Sequence, residues 1–458
     1  MNKLQLNEKV TNKIFSYVEH KINIKTALPI YEFATLFNVP SLQKASFINI
    51  ERFFTMAVET KSFLELGYSS VSKILASSEL NITAEQEIYN AVNTWLTYNI
   101  EQNSKFAKNL LLKVRFPLLS DHALKHISNK PFSSLCKIDD CVEVLNKGLE
   151  DRDSMYQHKF STYYTNRYCS QELFNILICG GYGTKSYQPV QRVVEFNVNN
   201  PGITNNHPSM NMWRFDFKIV CLKAEVYVFG GDDSRRNSIT SVDKYSPVTK
   251  TWNNVTDMYD DRAHFCTCAF MGSIYLVGGC YYEGFDCTIT NSCLQFDSKD
   301  NNWKEVCGMK EERQYAAATV FEGRIVVSGG WDNNDNKLNS VEYYDFVVDS
   351  WTPMPNMIEG RSHHDLVAVK SKLFAIGGIY TANTCEVLDS TCKTFVTLKS
   401  SIGFNAYKAV SIGSKFFIFQ NGLPNIVSYD VDKDKWSENS CEATDNISYF
   451  SCVKLTLF

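Results

Sequence analysis

Four arginines recur at near-even spacing along the second half of the chain: Arg214, Arg262, Arg313 and Arg361. Arg235 and Arg236 add two more in one short segment. A guanidinium is a planar fork of donors that grips a carboxylate through two parallel hydrogen bonds. Spread around one rim, such groups would capture an acidic peptide of a partner protein. The same donors can instead bond to loop carbonyls inside each repeat, and Asp261, Glu312 and Glu359 stand close in sequence as counter-charges. Residue type leaves both readings open.

The other candidates for chemistry are thiols and imidazoles. Cys266 and Cys268 lie two apart on an expected strand and so share a face. Two thiols fall short of the four ligands of a structural zinc site. Cys136 and Cys141 have no second pair at finger spacing. His122 and His126 have helical i, i+4 spacing but lack the glutamate of a zinc-protease motif, which leaves a surface or capping role. Cys280, Cys287 and Cys293 surround one segment, where redox sensing would require a lowered thiol pKa. No metal, cofactor or catalytic centre is expected from these spacings.

Bulk properties narrow the classes further. Lys plus Arg number 46 and Asp plus Glu 50, which argues against nucleic-acid binding through net positive charge. No apolar run reaches the roughly 18 residues of a membrane span. Residues Met1 to Glu8 lack the apolar stretch of a secretory signal. A cytoplasmic, cytoskeletal or nuclear location is therefore expected. The fifteen cysteines should then be reduced thiols.

The elements that carry the arginines repeat. Diglycines occur at Gly180-Gly181, Gly230-Gly231, Gly278-Gly279, Gly329-Gly330 and Gly377-Gly378, with Gln420-Asn421 as a degenerate sixth copy. Their spacings are 50, 48, 51, 48 and 43 residues, a period that marks a repeat architecture. An apolar, β-prone run precedes each pair. An aromatic residue and a tryptophan follow, seven apart, at Tyr245/Trp252, Phe296/Trp303, Tyr344/Trp351 and Tyr429/Trp436. Phe196/Ile203 and Leu388/Phe395 keep that spacing with apolar substitutes. Each arginine stands 16 residues before the first glycine, and Phe404 replaces it in the sixth copy. One unit thus reads as four short strands. The diglycine ends an inner strand, and the aromatic and tryptophan pack between neighbouring sheets. Such a sheet cannot bury both faces alone, and six arranged radially bury one another. The run Tyr449–Phe458 resembles the strand before each diglycine. The first copy lacks an arginine-started strand, so the C-terminal run is expected to complete the first blade and close the ring.

The first half reads as helices. Of 22 glycines, only Gly67 and Gly148 precede residue 170. Ile30, Phe33, Ala34 and Phe37 fall on one helical face. Pro40 interrupts, Ser41 is placed to cap the next helix, and Phe47, Ile50 and Phe54 continue it. Ser62/Glu65 and Thr83/Gln86 have capping-box spacing, the second before the stripe Ile88, Ala91, Val92 and Trp95. A further helix starts at Ser104, runs through Leu110, Leu111 and Val114, and stops before Pro117.

With diglycine, aromatic and tryptophan in that order, the repeats resemble kelch repeats over Leu173 to Phe458. The helical half is similar to the BACK domain of Kelch-like proteins at Ile30–Phe37, Glu79–Trp95 and Leu111–Leu119. Together they resemble the BTB–BACK–Kelch architecture. The resemblance implies residues 1–25 as a remnant of the last BTB helix and 26–145 as an all-α BACK-like domain. It implies 146–170 as linker and 171–458 as an all-β six-bladed kelch propeller. It also implies a non-catalytic substrate-recognition adaptor of a cullin-3 ubiquitin ligase. A substrate protein would bind at the loops Tyr182–Val190, Asp232–Thr240, Cys280–Asn291, Trp331–Asn339, Ile379–Thr384 and Gly422–Asn425. About 25 residues precede the BACK-like part, so most of a BTB domain, the main cullin-3 contact, is expected to be missing from this sequence. An actin-binding kelch scaffold, or a BTB-less form that competes for substrate, are the alternatives. Kelch-type copper oxidases need an extra ligand set that the sequence does not offer.

Overall fold

The computed structural model describes residues 15–116 and 119 apart from 16, 17, 20, 24, 83 and 84. It also describes residues 174–456 apart from 184, 186–187, 198–203, 234–237, 284–285, 347–348, 382, 390–393, 400–405, 421–424, 441–446 and 449. Two compact units divide the chain between Cys169 and Ser170. Arg235, Arg236, His122, His126, Cys136, Cys141, Ile203, Phe404, Asn421 and most of the 1–25 and all of the 146–170 segments lie outside the described residues.

The first unit is helical, and no helix among its described residues is long and apolar enough to cross a membrane. Its helices are Ala27–Leu36, Pro40–Arg52, Phe54–Ala57, Lys61–Leu64, Tyr68–Ala76, Gln86–Tyr98, Ile100–Asn103 and Ala107–Leu111, with a 3-10 turn at Ser104–Phe106. The stripe Ile88, Ala91, Val92 and Trp95 is buried as expected. The Trp95 indole donates to the Leu66 carbonyl at 3.0 Å, which satisfies its polar edge in the core. Three local expectations need correction. Pro40 does not interrupt a helix but starts one at its first position, where its missing N–H costs nothing, so Ser41 is not the cap. The cap of Lys61–Leu64 is Thr60, whose hydroxyl accepts from the Phe63 amide, and Ser62 lies within the helix. The helix Ala27–Leu36 buries Ala27, Leu28, Tyr31 and Ala34, while Phe33, Leu36 and Phe37 are 48%, 78% and 62% exposed.

The second unit is a six-bladed propeller of four-stranded antiparallel sheets. Blade 2 comprises Lys218–Leu222, Glu225–Phe229, Ser241–Ser246 and Thr251–Asp257. Blade 3 has Cys266–Phe270, Ser273–Val277, Cys293–Asp297 and Asn302–Val306. Blade 4 has Ala317–Phe321, Arg324–Ser328, Val341–Asp345 and Ser350–Met354. Blade 5 has Asp365–Val369, Lys372–Ile376, Cys385–Asp389 and Phe395–Leu398. Blade 6 has Ala406–Ile412, Lys415–Gln420, Asn425–Asp430 and Lys435–Ser440. Blade 1 joins the two ends of the propeller: Ser451–Thr456 is its first strand, followed by Phe174–Cys179, Val193–Asn197 and Thr204–His207. The six first strands touch one another in a closed cycle, blade 1 to blade 2 and so on back to blade 1. The C-terminal strand pairs antiparallel with Phe174–Cys179, Ser451 opposite Cys179, and so closes the ring.

The framework marks have definite jobs. Each diglycine follows the second strand from the axis rather than the innermost one. The aromatic and tryptophan are directly opposed across the third and fourth strands of one blade, at Tyr245↔Trp252, Phe296↔Trp303, Tyr344↔Trp351 and Tyr429↔Trp436. Leu388↔Phe395 repeats the pairing without the tryptophan, whereas Phe196 faces Thr204 rather than Ile203. Each indole N–H then reaches the preceding blade: Trp252 donates to Pro208, Trp303 to Asp257, Trp351 to Cys307 and Trp436 to Lys399, at 2.8–3.2 Å. Apolar clusters also straddle blade boundaries. Phe229 and Val242 of blade 2 pack with Ile274 and Phe296 of blade 3, and Phe374 of blade 5 packs with Phe416 of blade 6.

Because Leu455 of the closing strand is buried in the cluster shared by blades 1 and 2, Leu455→Ala should lower stability by about 2–5 kcal/mol in urea unfolding. A loss no larger than at an exposed site would mean that the terminal strand does not hold the ring closed.

Candidate functional site

The four repeat arginines are not surface groups. Arg214, Arg262, Arg313 and Arg361 are between 0% and 2% exposed. Each guanidinium reaches the carbonyl of its own blade's first glycine: Gly230 at 3.1 Å, Gly278 at 3.2 Å, Gly329 at 2.7 Å and Gly377 at 2.7 Å. Each also bonds to the hydroxyl just before or at the third strand, Ser241, Ser292, Ser340 or Thr384, at 2.8–3.2 Å. A carboxylate balances every charge. Asp243, Glu342 and Glu386 serve blades 2, 4 and 5 at 2.5, 2.8 and 2.9 Å. In blade 3 the equivalent position is Leu294, and Asp260 takes over with one oxygen on Nε and the other on Nη2. Arginines committed in this way brace blades 2 to 5, so an acidic peptide has no arc of exposed guanidinium from these four to bind.

The expected counter-charges are displaced by one residue. Asp260 and Glu311 contact the arginines, not Asp261 and Glu312, while Glu359 lies 3.9 Å from Arg361. The missed partners carry a sequence signal. An acid stands two residues before the third-strand aromatic or Leu388 in the blades of Arg214, Arg313 and Arg361, and is absent at Val194 and Val427, whose blades lack the arginine.

The diglycine makes this bracing possible. Gly329 and Gly330 have φ of +60° and +103°, left-handed values that a side chain resists. A Cβ at Gly330 would lie 2.6 Å from the Gln314 carbonyl oxygen. The Gly330 amide donates to the Arg361 carbonyl at 2.7 Å, and the Gly279 amide to that of Arg313 at 2.9 Å. Neighbouring blades are thereby linked through the backbone of the same arginines.

Strand order puts the loops before each arginine and after each diglycine on one face. The opposite face carries tight turns such as Lys223-Ala224, where both residues have positive φ, as a two-residue hairpin requires. Exposed apolar side chains concentrate on the long-loop face: Met212, Trp213, Tyr259, Tyr282, Ile358, Ile379 and Tyr380, the last 87% exposed. Lys337 of blade 4 places its ammonium 5.2 Å from the centre of the Tyr380 ring of blade 5.

Below these loops a second register of side chains forms a stair, two residues after each arginine: Asp216, His264, Tyr315 and His363. All four have φ of 53–56°. The His264 and Tyr315 rings stack at 4.1 Å, and those of Tyr315 and His363 at 3.7 Å. Backbone bonds from Tyr315 to His264 and from His363 to Tyr315 tie the steps together. His264 Nδ1 lies 2.9 Å from Asp216 Oδ2. Burial would raise the Asp216 pKa, but the His264 contact and the Lys218 charge outweigh it and hold the carboxyl at about 2. Sequence spacing contained this register but gave no reason to single it out.

Comparison with known proteins now bears on this geometry. The description "BTB And C-terminal Kelch" (BACK) matches residues 27–129. The "KLHDC2/KLHL20/DRC7 Kelch-repeats domain" matches residues 169–378. Rat Kelch-like protein 7 is 26% identical over 451 residues, covering 94% of this chain and 74% of the relative. The Kelch repeat and BTB domain-containing protein 1 of vaccinia virus (strain Copenhagen) is 25% identical over 424 residues, covering 84% of this chain and 73% of its own length. The chain belongs to the Kelch-like family. Its kelch match ends at residue 378, yet the Kelch-like propeller continues through blade 6, where Gln420 stands in the first-glycine position.

Arg361→Ala should lower stability by about 3–5 kcal/mol in urea unfolding, because it leaves the 1% exposed Glu386 unpaired. Arg361→Ala combined with Glu386→Ala should cost less than the sum of the single changes. A second expectation concerns pH. Burial depresses His363 from 6.5 to about 4. The unfolded chain therefore takes up a proton that the folded chain refuses. This stability contribution is complete above about pH 6.5 and is lost as pH falls towards 4. Thermal midpoints across that window should fall, and His363→Gln should flatten the decline.

Proposed function

We propose that this Kelch-like chain is a non-catalytic adaptor. Its propeller would hold a substrate protein at the long-loop face, and its BACK helices would contribute to recruiting a cullin-3 ubiquitin ligase. The observation that carries the reading is the one-sided distribution of exposed apolar side chains. Trp213, Tyr259, Ile379 and Tyr380 stand on loops anchored by buried arginines, a rigid platform with variable contacts. Aromatic side chains of this kind are the usual anchors of protein interfaces. The substrate is expected to meet these aromatics and the loop polar groups rather than Arg214, Arg262, Arg313 and Arg361. The adaptor would act by raising the local concentration of ligase around substrate, with bond chemistry left to other subunits. On the helical unit, Phe33, Leu36 and Phe37 form an exposed apolar patch that suits the ligase side.

Immunoprecipitation of the intact protein from cells, scored by mass spectrometry, tests both ends separately. Trp213→Ala with Tyr380→Ala should remove substrate and retain cullin-3, with binding weakened by at least about tenfold. Leu36→Asp should do the reverse. Absence of cullin-3 from the unmodified protein's complexes, with co-sedimentation on actin filaments, would replace the adaptor reading with a scaffold one.

A further inference from the structure

The brace sets the sign of charge on the long-loop face of blades 3 to 5. Arg262, Arg313 and Arg361 are buried, and Asp260, Glu342 and Glu386 neutralise them. Asp261, Glu312 and Glu359, beside those arginines in sequence, stay exposed. Glu359 lies 3.9 Å from Arg361, beyond hydrogen-bond reach. Glu312 meets the side-chain amide of Asn333, an uncharged partner. Glu311 shares Arg313 with the buried Glu342 and is exposed, as is Asp335 on the loop after the blade 4 diglycine. The loops in question are residues 258–265, 278–292, 307–316, 329–340, 355–364 and 377–384, and their only lysines are Lys310 and Lys337. Exposed carboxylates therefore outnumber ammonium groups there, and the buried guanidiniums do not redress the balance.

Apolar side chains alternate with these acids. Tyr259 stands two residues before Asp261 and Ile358 directly before Glu359, and all four are exposed. Tyr380 is exposed over most of its ring and already holds a cation, the Lys337 ammonium 5.2 Å from its centre. An aromatic face attracts a cation through its quadrupole. Lysine and arginine join an apolar stem to a charged head, so a ring beside a carboxylate matches both parts of one such side chain. The carboxylates of an acidic peptide would meet like charge at this face.

We propose, on the reading of this face as the substrate platform, that blades 3 to 5 hold a basic segment of the substrate protein, lysines or arginines spaced by apolar side chains. Its apolar groups cover Ile358, Ile379 and Tyr380. Its cations pair with Asp261, Glu312 and Glu359. Charge pairs at an interface rim govern encounter rate and partner choice more than affinity. A partner offering an acidic segment is rejected, because like charges opposed across an interface cost binding.

Panning a phage-displayed library of short random peptides on the full chain tests the chemistry. Selected sequences should be enriched in lysine and arginine and depleted of aspartate and glutamate relative to the starting library. A selected peptide, synthesised with a fluorescent label, should bind with a Kd that rises at least about tenfold between about 0.05 and 0.5 M salt. Asp261→Asn, Glu312→Gln and Glu359→Gln combined should weaken it about tenfold at low salt with an unchanged thermal midpoint. Asp300→Asn, at an exposed turn on the opposite face of blade 3, should leave it unaltered. Selection of acidic or uncharged peptides, no selection at all, full binding by the triple variant, or equal weakening by Asp300→Asn would overturn the basic segment. The adaptor reading fails separately. Acidic selected peptides with cullin-3 in the intact protein's complexes would keep the adaptor and discard the basic segment, and basic peptides without cullin-3 would do the reverse.

Discussion

The propeller depends on one buried bond, that between an arginine guanidinium and the carbonyl of the first glycine after the second strand. In blades 2 to 5 it fixes the turn that follows the diglycine, the start of the third strand and the loop arriving from the previous blade. A buried cation is tolerated only where a carboxylate and several acceptors surround it. That explains why Asp243, Glu342 and Glu386 accompany the arginines, and why Asp260 appears where Leu294 has removed the acid. Blades 1 and 6 lack both partners of the pair. Blade 1 relies instead on the C-terminal strand, and blade 6 on the tilted, mutually packed rings of Phe416, Tyr429 and Trp436.

The same bracing separates the two faces by function. Turns on one face are short hairpins with little surface to vary. Loops on the other are held at both ends by the arginine, so their middles can change without disturbing the ring. Apolar side chains stand out from those middles, while the Asp216, His264, Tyr315 and His363 stair gives them a rigid floor. Blade 3 adds a hairpin whose Tyr282 reaches down to that floor.

Repeat marks were legible because each answers to backbone geometry within its own blade. Positive φ demands glycine at Gly329 and Gly330, and a directly opposed pair requires fixed spacing at Tyr344 and Trp351. Helical detail was harder to read. Ile30, Phe33, Ala34 and Phe37 fit an apolar stripe, but only Ile30 and Ala34 of it face the core, together with Leu28 and Tyr31, while Phe33 and Phe37 stay exposed. Periodicity reports which residues share a face, not which of two apolar faces finds a partner. Pro40 and Ser62 likewise have local spacings compatible with more than one register, and packing selected among them.

Six repeats, their order and the terminal strand that completes the first blade follow from the amino-acid sequence, since each rests on local spacing. The role of Arg214, Arg262, Arg313 and Arg361 does not. A guanidinium is equally suited to a partner's carboxylate and to an internal carbonyl, and only burial distinguishes them. Tertiary structure likewise brought Asp216, His264, Tyr315 and His363 into one stair, because those residues come from successive blades. Contacts between distant segments depend on how blades turn about the axis, and no single repeat encodes that.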